Sequence, residues 1–281
     1  MKKIIALILV LVMALGLFAA CGAETPENKG NTNEETTTGT TEQETTEATE
    51  AQPTFTTVEE GKLIMATNAF FPPYEYYEGE QIIGIDAEIA AAIAEKLGLE
   101  LVINDMEFDS IITAVSTGAA DFGLAGMTIT EDRLKEVNFS ISYATGVQSI
   151  IVKEGSTITC VDDLYAEGAS YTVGVQLGTT GDIYASDDFG SDNVTQYPKG
   201  AEAVAALQGG EIDCVIIDNE PAKSFVEANE GLVILETAYA NEDYAACMAK
   251  ENEALLNAIN KAIEELIIDG TIDAIVAKYI Q

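Results

Sequence analysis

The sequence lacks histidine and tryptophan, and Arg133 is the single arginine among its 13 basic residues. Without histidine there can be no Ser-His-Asp triad, no histidine general base and no imidazole ligand for a metal ion. Basic residues are also few relative to the 48 Asp and Glu, which leave a formal net charge of −35 over 281 residues. A chain this acidic should not bind phosphate backbones or anionic lipid headgroups. We therefore expect no nucleic-acid partner.

Cysteine is scarce as well, with four residues at Cys21, Cys160, Cys214 and Cys247. No Cys-x-x-Cys pair occurs, so the sequence indicates neither a metal site nor a metal cofactor. Cys214 and Cys247 lie in apolar, strand-like runs, which favours buried free thiols, although one disulfide among the three later cysteines stays open.

Residues 1–20 have the features of an export signal. Two lysines precede an apolar run over 4–18 that is too short and wrongly flanked for a stable membrane span. The run ends in Ala-Ala-Cys21-Gly, which resembles the lipobox of bacterial lipoproteins and implies cleavage before Cys21 and diacylation of its thiol. Phe18 stands where that motif usually has leucine, and a plain secretory signal is the alternative.

Residues 21–57 are predicted to be the lipidated cysteine followed by a disordered tether. The stretch 31–50 contains nine Thr and six Glu. It cannot bury enough apolar surface to offset chain ordering, and its charges repel one another. We therefore expect an exported lipoprotein on the outer face of the cytoplasmic membrane, at the cell surface in a Gram-positive bacterium and periplasmic otherwise.

From about residue 58 short β-branched runs alternate with helical segments, which predicts an α/β fold with ligands at the carboxyl ends of the strands. The unit helix, Gly-x-x-Asp, strand occurs twice, at 118–121 and 210–213, and indicates two similar lobes. The predicted strands are 62–66, 101–104, 122–125, 171–176, 194–197 and 214–218. The predicted helices are 86–97, 110–117, 201–207, 253–268 and 272–280, with one more short helix after 176.

The segment 84–97, Gly-Ile-Asp-Ala-Glu-Ile-Ala-Ala-Ala-Ile-Ala-Glu-Lys-Leu, resembles the signature of the bacterial solute-binding proteins of the polar amino-acid type, family 3. Ala87 replaces the larger aliphatic residue that is usual there. Further matching motifs lie at 71–75, 118–122, 126–133, 138–140, 174–180, 212–218 and 269–271, so that the resemblance covers residues 60–281 in continuous order.

This resemblance implies a two-lobed periplasmic-binding-protein-like (type II) fold. Each lobe would be a mixed, mostly parallel sheet flanked by helices, and a two-strand hinge would join them. Residues 58–146 and 243–281 would form lobe 1, and residues 147–242 lobe 2. The family closes its lobes on an amino acid and delivers it to the transmembrane subunits of an ABC permease, so we expect a monomeric binding protein and not an enzyme.

Arg133 is the expected carboxylate ligand, because a guanidinium can form two parallel charge-assisted bonds that lysine cannot match. Its position also matches the family's carboxylate-binding arginine. Gly-Thr-Thr-Gly at 178–181 joins a strand to a helix, whose N-terminal N–H groups can bind an anion. By resemblance, Thr179 and Thr180 contact the same carboxylate from the second lobe.

Asp218 ends an apolar strand and matches the family's acceptor for the ligand's ammonium group, which Thr128 and the Gly126 carbonyl would complete. Because Arg133 and Asp218 belong to different lobes, a ligand that binds both would favour closure. Phe71 and Phe108 stand where the family often stacks aromatic rings on the ligand.

Asn68 stands where family members that bind Lys, Arg or His share an aspartate. The neighbouring positions Gln176 and Ile217 add no charge either. A cationic ligand side chain would therefore be uncompensated, at a cost of several kcal/mol. We predict a ligand with a neutral side chain, either polar and glutamine-like or apolar.

Two other functional classes remain open. Asp105, Glu107 and Asp109 could be catalytic carboxylates, although capping or solvated roles are commoner at such positions. The fold also occurs in exported cyclohexadienyl dehydratase-like enzymes, and fold alone does not decide function. A nutrient-sensing binding protein is the other alternative.

Overall fold

The structure, a computed structural model, describes residues 55–280. The predicted export signal, Cys21 and nearly all of the predicted tether lie outside these residues. Within residues 55–280, none of the helices combines the length and apolarity that a membrane span requires.

Fourteen strands and eight α-helices follow one another in the part of the chain that the structure describes. The strands are β1 Lys62–Thr67, β2 Phe70–Phe71, β3 Glu75–Glu78, β4 Gln81–Ile83, β5 Glu100–Asp105, β6 Phe122–Gly123, β7 Val137–Phe139, β8 Ala144–Lys153, β9 Val173–Gln176, β10 Val194–Tyr197, β11 Cys214–Asp218, β12 Leu232–Ile234, β13 Ala240–Tyr244 and β14 Cys247–Ala249. The helices are α1 Ile85–Leu97, α2 Ile111–Ser116, α3 Arg133–Glu136, α4 Thr180–Phe189, α5 Gly200–Gly209, α6 Asn219–Ala228, α7 Glu253–Ile268 and α8 Thr271–Tyr279.

Two mixed sheets form the centres of two lobes. The first has the order β5-β1-β6-β14-β7, and the second the order β10-β9-β11-β8-β12, with β13 also paired to β8. The three strands β5-β1-β6 are parallel, as are β10-β9-β11, and the remaining pairs are antiparallel. The antiparallel share is larger than the sequence pattern indicates, because strand-helix alternation predicts the parallel strands and carries no signal for those that follow no helical crossover.

The strands β8 and β13 lie where the chain passes from one lobe to the other. They are antiparallel partners, with Gly146 opposite Glu242. The predicted lobe boundaries, 146/147 and 242/243, fall within these two strands. A small third sheet, β2-β3-β4, precedes α1.

The repeated Gly-x-x-Asp unit forms the same turn and the same kind of hydrogen bond in both lobes. Gly118 and Gly210 have positive φ angles of 76° and 80°. The aspartate that follows accepts an N–H group in or next to a parallel strand of the same lobe: Asp121 from Ile64 at 2.7 Å, and Asp213 from Thr172 at 2.8 Å. The unit therefore joins a helix to one strand and fastens it to another.

Most predicted elements are present, with their ends shifted by at most two residues. The predicted helix over 110–117 is split into a 3-10 turn, Phe108–Ser110, and α2. The predicted strand over 122–125 is only two residues long. Cys214 and Cys247 are buried free thiols, as predicted, and Cys160 is a partly exposed free thiol.

Candidate ligand-binding site

One cavity lies between elements of the two lobes, and all ten residues predicted to bind ligand line it. They are Asn68, Phe71, Phe108, Gly126, Thr128, Arg133, Gln176, Thr179, Thr180 and Asp218. Ala125, Gln148, Ile217 and Tyr244 complete the lining. Residues up to 176 positions apart in the sequence, from Asn68 to Tyr244, therefore meet at one surface, where Arg133 and Asp218 are the only charged members.

Arg133 begins the short helix α3 and is only 7% exposed. Its Nη1 donates to the Thr128 carbonyl at 2.7 Å, and its Nη2 donates to the Gly178 carbonyl of the second lobe at 3.0 Å. The Phe108 ring lies under the guanidinium, 5.4 Å from Cζ to the ring centroid. Burial lowers the pKa of Arg133 and the charge of Glu242 opposes this, yet an arginine stays protonated in a protein.

The N-terminus of α4 faces the same end of the cavity. Thr179 caps this ten-residue helix, accepting the Asp182 N–H at 3.3 Å and donating to the Gln176 carbonyl at 2.8 Å. Thr180, which follows the cap, is buried. A helix N-terminus beside a buried guanidinium is a favourable environment for a carboxylate.

Asp218 caps α6 at the carboxyl end of β11. Its Oδ1 accepts the Glu220 N–H at 3.0 Å, and its Oδ2 accepts the Val147 N–H at 3.2 Å and the Tyr244 hydroxyl. Burial raises the pKa of Asp218 to about 6, while these hydrogen bonds act to lower it. A buried carboxylate with no cationic partner within residues 55–280 is suited to receive an ammonium group.

Two amide side chains meet across the cavity. Gln176 donates from Nε2 to Asn68 Oδ1 at 2.9 Å and to the Pro198 carbonyl at 3.2 Å. Asn68 in turn donates from Nδ2 to the Met106 carbonyl at 2.8 Å. These bonds fix the orientation of both amides and make this part of the wall polar and uncharged.

The two predicted aromatic contacts differ in their surroundings. Phe71 stacks on Tyr74 with centroids 5.7 Å apart and lies against Gly126, so that it covers one wall of the cavity. Phe108 supports Arg133. The neighbouring Phe70 is partly exposed and lies under Lys199, 3.6 Å from Nζ to its centroid.

Sequence reasoning missed Tyr244 and Gln148. Tyr244 is 1% exposed and donates its hydroxyl to Asp218. Gln148 is buried and donates from Nε2 to Glu242 at 3.0 Å. Both residues come from the paired strands β8 and β13, whose register no local pattern reveals.

The carboxylates proposed as an enzymatic alternative do not line the cavity. Asp105 accepts the Ala69 N–H at 2.9 Å and the Tyr77 hydroxyl at 3.1 Å, and its side chain lies at the surface. Glu107 precedes the 3-10 turn before α2, and Asp109 lies within it. Asp105 thus bonds to the backbone, and Glu107 and Asp109 are exposed to solvent.

The profile of the bacterial extracellular solute-binding proteins, family 3, matches residues 63–281. The chain belongs to this family. It is 33% identical over 227 residues to the arginine-binding extracellular protein ArtP of Bacillus subtilis, covering 78% of this chain and 86% of ArtP. It is 29% identical to the ABC transporter glutamine-binding protein GlnH of the same bacterium, over 100% of this chain and 98% of GlnH.

Solved structures of the family share the fold. An ancestral arginine-binding protein bound to glutamine is 37% identical, with a TM-score of 0.74 over 79% of this chain and 99% of its own. The substrate-binding protein AbpA of Streptococcus pneumoniae bound to L-arginine is 34% identical, with a TM-score of 0.72. The match covers 78% of this chain and 94% of the AbpA chain. The family 3 chain described here therefore has the predicted two-lobed type II fold and is an exported solute-binding protein.

Proposed function

We propose that this protein is the substrate-binding component of an ABC importer and that it captures an amino acid with a neutral side chain between its two lobes. The observation that carries this proposal is the charge pattern of the cavity, with one cation and one anion at its wall, Arg133 and Asp218. A zwitterionic α-amino acid carries the complementary pair of charges. Relatives of this chain bear the names of arginine-, glutamine-, histidine- and cystine-binding proteins, which supports the ligand class.

The carboxylate of the ligand would bind between Arg133 and the N-terminus of α4, and its ammonium group would bind Asp218 with Thr128 and the Gly126 carbonyl. This arrangement uses one charged residue from each lobe, so that ligand binding would hold the lobes closed. The ligand would then pass to the transmembrane subunits of the permease.

A neutral side chain follows from what remains of the wall after the two charges are used. Asn68, Gln176 and Ile217 are uncharged, and the amide pair offers hydrogen bonds to a polar group. An arginine or lysine side chain would meet no carboxylate there, at a cost of several kcal/mol in a closed cavity. We therefore favour glutamine over an apolar amino acid.

Isothermal titration of the mature chain with glutamine, asparagine, leucine, arginine, lysine and glutamate tests this proposal. We expect glutamine to bind at least about tenfold more tightly than arginine or lysine, which is about 1.4 kcal/mol. N-acetylglutamine and glutamine amide, which lack the ammonium and carboxylate charges respectively, serve as controls and should not bind. Tighter binding of arginine or lysine would contradict the neutral side chain, and binding of the blocked analogues would contradict the two-charge site.

The membrane anchor is part of the same proposal. Diacylation of Cys21 would hold the folded module by its Thr- and Glu-rich tether at the outer face of the membrane, as a monomer. Labelling of cells with radioactive palmitate should mark the wild type and not a Cys21→Ala variant. Release of the wild type into the medium without label would contradict the anchor, and light scattering of the purified protein tests the monomer.

A further inference from the structure

Two buried carboxyl groups lie near each other behind the Gly126 wall of the cavity. Glu75 belongs to β3 and Asp86 to the first turn of α1, and both side chains are 0% exposed. The Asp86 N–H donates to the carbonyl of Tyr74, the residue that precedes Glu75, at 2.9 Å, which brings the two carboxyls next to each other. Within residues 55–280, no N–H or O–H group of another residue reaches either oxygen of Glu75 or Oδ1 of Asp86.

The surroundings of the pair contain no positive charge to stabilise two anions. No lysine or arginine within residues 55–280 lies at salt-bridge distance from either carboxyl. The titratable groups that act on the pair or on the neighbouring Tyr74 are acids and phenols: Tyr74, Asp105, Tyr143, Asp218, Glu220 and Tyr244. Adjacent carboxylates in such a place cannot both ionise, so one proton must lie between them.

The hydrogen bonds assign that proton to Glu75. Asp86 Oδ2 accepts two donors, the Gly126 N–H at 2.7 Å and the Tyr143 hydroxyl at 2.8 Å, which stabilise a negative charge on Asp86. Glu75 has no such donors, and a proton on it can bond to the free oxygen of Asp86. In agreement, burial and the neighbouring Asp86 raise the pKa of Glu75 well above the ordinary glutamate value, and burial raises that of Asp86 to about 6.

Asp86 connects this pair to the ligand cavity. Gly126, whose N–H it accepts, lines the cavity with a positive φ of 50°, and the Phe71 ring lies against it. Phe71 in turn is the β-sheet partner of Glu75. Thus both carboxyls are joined, by one hydrogen bond and one strand pairing, to neighbouring parts of the same cavity wall.

We propose that Glu75 and Asp86 share one proton and that the singly protonated pair is a positioning element for the Gly126 and Phe71 wall of the ligand site, so that loss of this proton weakens amino-acid binding. The binding part of this inference rests on the proposed function. Ionisation of Glu75 would place two anions in one apolar space, and their separation would displace Asp86 from the Gly126 N–H or β3 from Phe71.

The same proton affects folding stability, and the sign follows from its affinity for the two states. The folded protein binds the proton of Glu75 more tightly than the unfolded chain does. The free energy of unfolding should therefore decrease as pH rises from the ordinary glutamate pKa towards the raised pKa of the folded state. Glu75→Gln, which keeps a donor towards Asp86 and cannot ionise, should remove this part of the pH dependence.

The experiment compares the wild type, Glu75→Gln and Glu78→Gln in the full mature chain. Glu78 lies in the same strand, is exposed, and its substitution changes the formal charge equally. Infrared spectroscopy near neutral pH should show the band of an un-ionised carboxylic acid in the wild type and in Glu78→Gln, and not in Glu75→Gln. Urea unfolding and glutamine titration are then measured from about pH 6 to about pH 9.

We expect the ratio of the dissociation constants at the high and low ends of this range to be roughly tenfold larger in the wild type than in Glu75→Gln, corresponding to about one pKa unit of coupling. Deprotonation of the ligand's own amine at high pH affects both proteins equally and so cancels in this comparison. The control Glu78→Gln should show the same pH dependence as the wild type. Absence of the infrared band in the wild type overturns the shared proton, even if Glu75→Gln does not fold. Equal pH profiles for binding overturn the positioning role while the proposed function stands.

If the wild type shows the band and binds no amino acid at any pH, the proposed function and the positioning role are both overturned. The shared proton is then still supported by the infrared band and the unfolding data. The two failures are therefore distinguishable.

Discussion

Arg133 donates a hydrogen bond from Nη2 to the carbonyl oxygen of Gly178 at 3.0 Å, and thereby joins a helix of the first lobe to the turn that begins α4 in the second. Its Nη1 is held by the Thr128 carbonyl of its own lobe. The guanidinium is thus oriented by one acceptor from each lobe. The cavity places this group beside the helix N-terminus that we propose to bind the same carboxylate.

Arg133→Lys should weaken binding of glutamine by about 10- to 100-fold, or about 1.4 to 3 kcal/mol. A lysine keeps the charge but lacks the planar fork that can bond to both carbonyls and to a carboxylate at once. Isothermal titration measures the change. Lys135→Arg on the same helix, at an exposed position, is the control and should bind like the wild type. Binding by Arg133→Lys within about twofold of wild type would exclude a bidentate role.

The affinity for amino acids should fall as pH decreases through about 6. Burial raises the pKa of Asp218 to about 6, so protonation below this value removes the charge that would accept the ligand's ammonium group. Protons and ligand then compete, and the dissociation constant should rise by up to about tenfold for each pH unit below the pKa. Titrations between about pH 5 and about pH 8 measure it, and Asp218→Asn should bind weakly with no such dependence. An equally steep fall in Asp218→Asn would assign the effect to another group.

Asn68→Asp should change the preference from neutral towards cationic side chains. The substitution places a carboxylate beside Gln176, where an uncompensated cation would otherwise lie. We expect the ratio of arginine to glutamine affinity to increase at least about tenfold, or about 1.4 kcal/mol. Asn104→Asp at an exposed position of β5 adds the same charge away from the cavity and should leave the ratio unchanged. An unchanged ratio in Asn68→Asp would place the ligand side chain elsewhere.

The sequence pattern predicted those helices and strands whose residues and end signals lie within the element itself. α1 has Ile89, Ile93 and Leu97 on one face and ends at Gly98, which has the left-handed conformation of a helix C-cap. The strands β8, β12 and β13 were not predicted, because they are held by antiparallel partners far away in the sequence. Neither their direction nor their register follows from their own residues.

The candidate site was predicted in a similar way. Arg133 stands out in the sequence by rarity, and Asp218 by ending an apolar strand, whereas most of the other positions came from motif resemblance. Tyr244 had no such signal, since its contact with Asp218 depends on the pairing of β13 with β8. The Glu75–Asp86 pair was missed for the same reason, since a hairpin residue and a helix-start residue become partners only when the chain folds.

Gly84→Ala should destabilise the protein far more than Gly98→Ala, although both glycines border α1 and have positive φ angles, of 126° and 70°. A Cβ on Gly98 would meet no atom within 4 Å, so its substitution should cost only the conformational penalty of about 1 to 2 kcal/mol. A Cβ on Gly84 would lie 2.2 Å from the carbonyl oxygen of Tyr74, a backbone atom that cannot rotate away.

Relief of this contact would have to separate α1 from the segment before β3. That segment accepts the first N–H groups of the helix, from Ile85 to Pro73 at 3.0 Å and from Asp86 to Tyr74 at 2.9 Å. Together with the backbone strain of about 1 to 3 kcal/mol, we expect a loss of at least about 3 kcal/mol in the free energy of unfolding. Urea unfolding of both variants at one pH measures the difference, and losses equal within about 0.5 kcal/mol would show that the close approach at Gly84 does not determine stability.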